Sequence, residues 1–252
     1  MIAVRSAIFN ICFFALTALL LIAGLPTLLA GREALFRVAR FWSRSSRWLL
    51  HAICGLKVEF RGMENLPKGA FILAAKHQSA LETFALAECV EDFSFILKRE
   101  LTFIPLFGWY LRRAEMIAIN RKNGRAAVEQ AIERSRALLN EGRTVVIFPE
   151  GTRTPPGGSA RYKMGVAHIY AATGAACVPA ALNTGMFWPR RSFMKYRGTA
   201  VIEFLPAIEP GHSPSDFLET LRTRIEDASG RLAAEAVSAD ASAAGRLTSP
   251  GG

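Results

Sequence analysis

Residues 70–90 read AFILAAKHQSALETFALAECV. The first six are apolar and unbroken, the mark of a short strand buried on both faces. From Ala80 to about Val90 the apolar residues take the spacing of a helix that buries one face. Between the two lies Lys76-His77-Gln78-Ser79, a strand-to-helix turn. This stretch is therefore one β–turn–α unit, the element from which α/β layers are built.

The unit recurs outward along the chain. Strands are expected at 56–60, 93–97, 116–119, 144–148, 177–182 and 199–205. Helices are expected at 124–141, 163–173 and about 215–234, with a helical turn or two at 105–112. Val128, Ala131, Ile132, Ser135, Leu138 and Leu139 fall on one face of the clearest helix, which Gly142 stops. The alternation predicts an α/β layered domain with a mainly parallel sheet flanked by helices. No internal repeat is visible.

An N-terminal membrane-associated helical segment precedes this domain. Residues 7–30, AIFNICFFALTALLLIAGLPTLLA, carry no charge. A helix needs about 20 apolar residues to cross a hydrocarbon core, so the run is long enough. Asn10, Gly24 and Pro26 interrupt it and leave a bent hairpin as the other reading. The following stretch is basic, with Arg32, Arg37, Arg40, Arg44 and Arg47, whereas only Arg5 precedes the run. That asymmetry puts the following domain on the cytoplasmic side. Residues 33–53 alternate these arginines with Leu35, Phe36, Phe41, Trp42, Trp48 and Leu49. They read as an interfacial helix facing lipid phosphates, or as an ordinary domain helix with solvated charges. The expected divisions are 1–53 for membrane and interfacial helices, 54–236 for the catalytic domain and 237–252 for a disordered tail of Ala, Ser, Gly and Pro.

The whole chain has 252 residues, a hydrophobic fraction of 51% and a formal charge of +10. The charge favours anionic partners. No zinc-finger spacing, aromatic RNA-binding strand or dense basic run is present, so nucleic acid is not an expected partner and a phospholipid membrane is. The four cysteines are far apart among apolar neighbours. They read as buried reduced thiols, and no metal-ligand cluster is visible.

Chemistry concentrates where strands end. His77 follows the strand at 70–75, at the edge where open α/β sheets bind ligands. Glu82, five residues on, can accept a proton from one imidazole nitrogen and leave the other as a base. The same Ser79-Ala80-Leu81-Glu82 also reads as a capping box with no chemical role. Phe148-Pro149-Glu150-Gly151-Thr152-Arg153 leaves the strand at 144–148 through a glycine, offering a hydroxyl and a guanidinium to phosphate oxygens. Lys98 and Arg121 stand just past two other strands. If those strands are neighbours, Lys98, Arg121 and Arg153 converge on one anion; otherwise they are solvated surface charge.

His77 to Glu82, Ile119 to Arg121, Phe148 to Arg153 and Val178 to Asn183 occur in this order, at a spacing that resembles the four sequence blocks of the glycerolipid acyltransferases. The resemblance covers about residues 56–210 and is nearest to the branch acting on 1-acylglycerol-3-phosphate. It implies transfer of an acyl group from acyl-CoA or acyl-carrier protein to the sn-2 hydroxyl of a lysophospholipid acceptor, giving phosphatidate, with no cofactor and no metal. It implies His77 as catalytic base and Glu82 as its orienting acid. Lys98, Arg121, Glu150, Gly151, Thr152 and Arg153 correspond to the acceptor site, and Val178-Pro179 to a block linked with the donor or the membrane. It also implies the bacterial inner membrane. The family normally has Asp where this chain has Glu82, and often Asn where it has Lys76. Another lyso-lipid acceptor, such as a lyso-ornithine lipid, and a non-catalytic lipid-binding relative are the alternatives.

Overall fold

The computed structural model describes residues 1–158 and 161–247. Seven strands form one sheet: β1 (Leu56–Arg61), β2 (Ile72–Ala75), β3 (Phe93–Lys98), β4 (Ile117–Ile119), β5 (Thr144–Ile147), β6 (Cys177–Leu182) and β7 (Gly198–Phe204). Their order is β1-β7-β6-β2-β5-β3-β4. Every pairing is parallel except β6 with β7. The sheet is thus mainly parallel, as the alternation predicts.

Side chains of a strand alternate between faces, and β2 shows what that does here. Ile72 and Ala74 join a core with Val145, Val166, Tyr170, Phe217 and Ile225. That face is covered by α5 (Arg125–Asn140), α6 (Gly165–Thr173) and α7 (Pro214–Ala239). Leu73 and Ala75 join the opposite core with Leu35, Phe36, Leu86, Phe93, Val146 and Val178. That face is covered by α2 (Arg32–Leu49) and by α3 (Leu81–Ala85), which runs on into a 3₁₀ turn at Leu86–Glu88. Continued past the strand end, the alternation sends Lys76 toward α7 and His77 to the other side.

The apolar N-terminal run folds as α1 (Ile2–Ala23), a 3₁₀ turn at Leu25–Leu28, and α2. It is a helical hairpin laid against the domain. Phe9 packs on Trp188 at 5.5 Å, and Trp42 Nε1 donates to Thr17 Oγ1 at 2.9 Å. The outer side of α1 is apolar and exposed, with Val4, Ile11, Phe14, Leu19 and Ile22. The arginines of α2 depart from the interfacial reading. Arg32 pairs with Glu115, Arg40 donates to the Glu91 carbonyl at 3.0 Å, and Arg47 pairs with Glu88 at 3.0 Å. Carboxylates and carbonyls of the domain answer these charges, so among the described residues Arg37 alone of the five has no such partner.

The chain end also differs from expectation. Instead of disorder from residue 237, α7 continues to Ala239 and a 3₁₀ segment follows at Ala241–Arg246. Ala236 and Ala243 are buried against Phe187 and Met186, a use that small residues serve and that composition alone does not reveal. Residues 248–252 of the expected tail lie outside the described residues.

Candidate active site

The turn after β2 presents His77 with its Nδ1 2.8 Å from Glu82 Oε1. The same oxygen accepts the backbone N–H of Gln78 at 2.8 Å and of Ser79 at 2.7 Å. Glu82 Oε2 accepts from Thr184 Oγ1 at 2.7 Å. The glutamate is fully buried. A buried carboxylate held by backbone donors is an acceptor, so Nδ1 carries the proton and donates. In the neutral ring Nε2 is then the nitrogen with a free lone pair, and it has no hydrogen-bond partner among the described residues. The dyad and the capping contact are not alternatives, because one oxygen makes both. Ser79 itself does not cap α3 as the box requires; its Oγ accepts from Leu81 N at 3.2 Å.

Two elements hold the imidazole from outside. Phe148 stacks on it with ring centroids 4.1 Å apart. Thr154 N donates to the His77 carbonyl at 2.7 Å, which ties the loop after β5 to the loop after β2. Phe148 and Thr154 also form part of the wall of a cleft of about 770 Å³. Arg121, Gly151, Thr152 and Arg153 line this cleft. Because β4 and β5 lie on the same side of the sheet with only β3 between them, the loops after these two strands meet at the cleft. Arg121 donates through Nη1 to the Gly151 carbonyl, and burial lowers its pKa. Gly151 has φ +70, a region in which a side chain is strained.

The other expected residues are placed differently. Lys98 ends β3 on the same sheet edge, exposed, and does not line the cleft. Glu150 borders the cleft, but its side chain is buried on the α7 side. It faces Lys76 Nζ at 3.3 Å, and Lys76 in turn bonds Glu226 at 2.6 and 2.8 Å. Tyr162 also donates to Glu226, at 2.9 Å. Glu150 thus stands between the cleft and the Lys76–Glu226 pair. Val178 and Pro179 sit in the middle of β6, buried and in register with Leu73 and Ala74. Sequence reasoning marks Lys76 only as a departure from the family's Asn, and it misses Thr184, Glu226 and Tyr162 together with Arg161 and Lys163, which line the cleft. Lys76 had a signal: a charge ending a buried apolar run needs a partner.

None of the cysteines lines the cleft. Burial pushes Cys89 up to about 12 and Cys177 higher still. Among the described residues no group of three or more His, Cys, Asp or Glu side chains can hold a metal ion.

Comparison with known proteins follows the same residues. A family model described as Acyltransferase matches residues 57–183. The 1-acyl-sn-glycerol-3-phosphate acyltransferase of Pseudomonas aeruginosa is 37% identical over 183 residues, covering 72% of this chain and 71% of that one. A chloroplastic 1-acyl-sn-glycerol-3-phosphate acyltransferase of Arabidopsis thaliana is 32% identical over 158 residues, and the match spans 43% of its length. The crystal structure of the 1-acyl-sn-glycerophosphate acyltransferase of Thermotoga maritima shares the fold, with a TM-score of 0.77 over 92% of this chain and 98% of that one at 23% identity.

Proposed function

The chain belongs to the acyltransferase family, and on that premise we propose that it moves an acyl group from a thioester to the sn-2 hydroxyl of 1-acylglycerol-3-phosphate, giving phosphatidate. The observation that carries this reading is the dyad: Nδ1 of His77 fixed on buried Glu82, with Nε2 free beside a cleft lined by cations. Nε2 takes the proton of the acceptor hydroxyl as its oxygen attacks the thioester carbon. Glu82 stabilises the imidazolium so formed, and as the tetrahedral intermediate collapses the C–S bond breaks and the sulfur takes the proton from Nε2 to leave as a thiol. Arg121 and Arg153 hold the acceptor phosphate, Arg153 as a planar fork without a side-chain partner among the described residues. Thr152 adds a hydroxyl at the rim. The backbone N–H groups of Gln78 and Ser79 are taken by Glu82, so the oxyanion draws on other donors.

The reading extends to the membrane. A 22-residue helix is about 33 Å long, enough to cross. Yet α1 is fastened to the domain near both ends. Lys195 bonds Ser6 at 2.9 Å and Asn10 at 2.6 Å, and Tyr110 Oη donates to the Leu21 carbonyl at 2.7 Å. A helix so fastened lies along one leaflet with its apolar side in lipid, the domain standing on the cytoplasmic side. Membranes washed with concentrated salt are expected to retain the protein, since salt screens charge and leaves apolar burial intact. Release by salt alone contradicts the placement.

The decisive assay uses the purified chain in detergent with an acyl thioester and a panel of lyso-lipids. Phosphatidate from 1-acylglycerol-3-phosphate is the expected product. Turnover confined to a phosphate-free acceptor such as a lyso-ornithine lipid overturns the assignment, as does the absence of transfer to any acceptor.

A further inference from the structure

A second cationic cleft, of about 460 Å³, lies away from Arg121 and Arg153. Arg5, His51, Lys57 and Arg197 line it. They come from the first turns of α1, the turn after α2, the start of β1 and the residue before β7. All four are exposed, and no carboxylate lines the cleft. Among the described residues none of the four side chains has a hydrogen-bond or ion-pair partner. The cleft beside α2 is a contrast: its Arg40 and Arg44 are matched by Glu33, Glu88, Glu91 and Asp92. Like charges gathered without counter-charge repel one another, and an anion relieves that repulsion.

Strand direction places this cleft on the catalytic edge. β1 runs parallel to β7, β7 antiparallel to β6, and β6 parallel to β2. The starts of β1 and β7 therefore open where β2 ends at His77. They stand two to three strand spacings aside, roughly 10 to 14 Å, and about three residues further out, roughly 10 Å. The separation from His77 is on the order of 15 Å, a span suited to an extended pantetheine arm.

We propose that this cleft binds the phosphate-bearing nucleotide end of a coenzyme A thioester, with the pantetheine arm running along the sheet edge to His77. The proposal rests on the acyl-transfer reading above. A concave site suits a small polyanion, and Arg and Lys supply charge-assisted bonds to several phosphate groups at once. The donor and acceptor phosphates then occupy separate cationic sites on one sheet edge.

The test compares the whole chain with its Lys57→Ala/Arg197→Ala variant in neutral detergent. KM for acyl-CoA is expected to rise at least about tenfold, with kcat and acceptor KM unchanged. Acyl-pantetheine, the thioester without phosphates, is expected to serve both proteins equally. Coenzyme A binding, measured by calorimetry, is expected to weaken in parallel. An unchanged KM for acyl-CoA overturns the proposal, and so does an equal loss with both thioesters. A defect seen only on anionic phospholipid vesicles assigns the cleft to a lipid headgroup and overturns it too. A wild type that accepts carrier-protein thioesters alone does the same. Coenzyme A binding that the variant loses, without acyl transfer by either protein, refutes the function and leaves the cleft standing. Transfer from acyl-CoA with unchanged KM does the converse.

Discussion

Two glutamates of this chain are buried beside the same sheet edge, and their surroundings differ. Glu82 receives four donors: His77 Nδ1, two backbone N–H groups and the Thr184 hydroxyl. Glu150, in the loop after β5, has no well-formed hydrogen bond at either oxygen among the described residues, with the Lys76 ammonium at 3.3 Å and Thr154 close by. Burial raises the pKa of Glu150 to about 7, against the pull of Lys76 and Thr154. Hydrogen bonds to a carboxylate favour its charged form, and burial without them disfavours it. A motif names residue types, whereas the donors around each one decide whether it is a charge for catalysis or a support for a loop.

That contrast predicts its largest effect at Glu82. Replacing it with Gln keeps the length, the backbone contacts of one oxygen and a partner for Thr184, whose hydroxyl can turn to accept. Only the negative charge and the certainty of the His77 tautomer are lost. Turnover is expected to fall by roughly 10² to 10⁴ with little change in melting temperature. Near-normal turnover in Glu82→Gln would reduce the residue to its capping contact. Glu82→Asp sharpens the point: it keeps the charge and shortens the reach, so substantial retained turnover is expected if the charge is what His77 needs.

A smaller and more selective effect belongs to the rim of the Glu150 loop. If Arg153 holds the acceptor phosphate as proposed, Arg153→Ala removes a charge-assisted contact of about 1.5 to 3 kcal/mol. Acceptor KM is expected to rise by one to two powers of ten while donor KM stays put. Steady-state kinetics with each substrate varied in turn separates the two. An unchanged acceptor KM would leave Arg153 a surface charge.

The residues differ in how far they were legible in the sequence. The strands, the turn bearing His77 and the reach of Glu82 depend on neighbours within a few positions, and local pattern carries them. The meeting of the loops after β4 and β5 depends on the strand order, and the same reasoning puts Lys98 with them, where the cleft does not include it. Glu226 lies 150 residues from Lys76, and Thr184 lies 102 from Glu82. Those contacts depend on α7 packing one face of the sheet and on β6 lying beside β2, which no local spacing encodes. The tail misled for a related reason. An alanine-rich segment is disordered or packed according to whether a surface is there to receive it, and α7 carries it to one beside Phe187.

The smallest effect should come from Glu150→Gln, and its sign tests the contrast most directly. A carboxyl whose pKa is raised on folding binds its proton more firmly in the folded chain than in the unfolded one. Its contribution is fully present below the ordinary carboxylate range and is lost as pH rises through about 7. The wild type should therefore lose stability between about pH 5 and pH 8, on the order of 1 to 3 kcal/mol from this group. Glu150→Gln holds a neutral side chain of nearly the same shape at every pH, and Lys76 keeps its two bonds to Glu226. The variant should match the wild type near pH 5 and exceed it near pH 8, as thermal melts at the two pH values would record. Its kcat at pH 6 should stay within a few-fold, because Glu150 makes no contact with the His77 imidazole among the described residues. If burial does not govern Glu150, the ion pair with Lys76 does. The carboxylate is then charged throughout, and the variant is less stable than the wild type at pH 8. That outcome would make Glu150 a held charge like Glu82 and dissolve the distinction between the two.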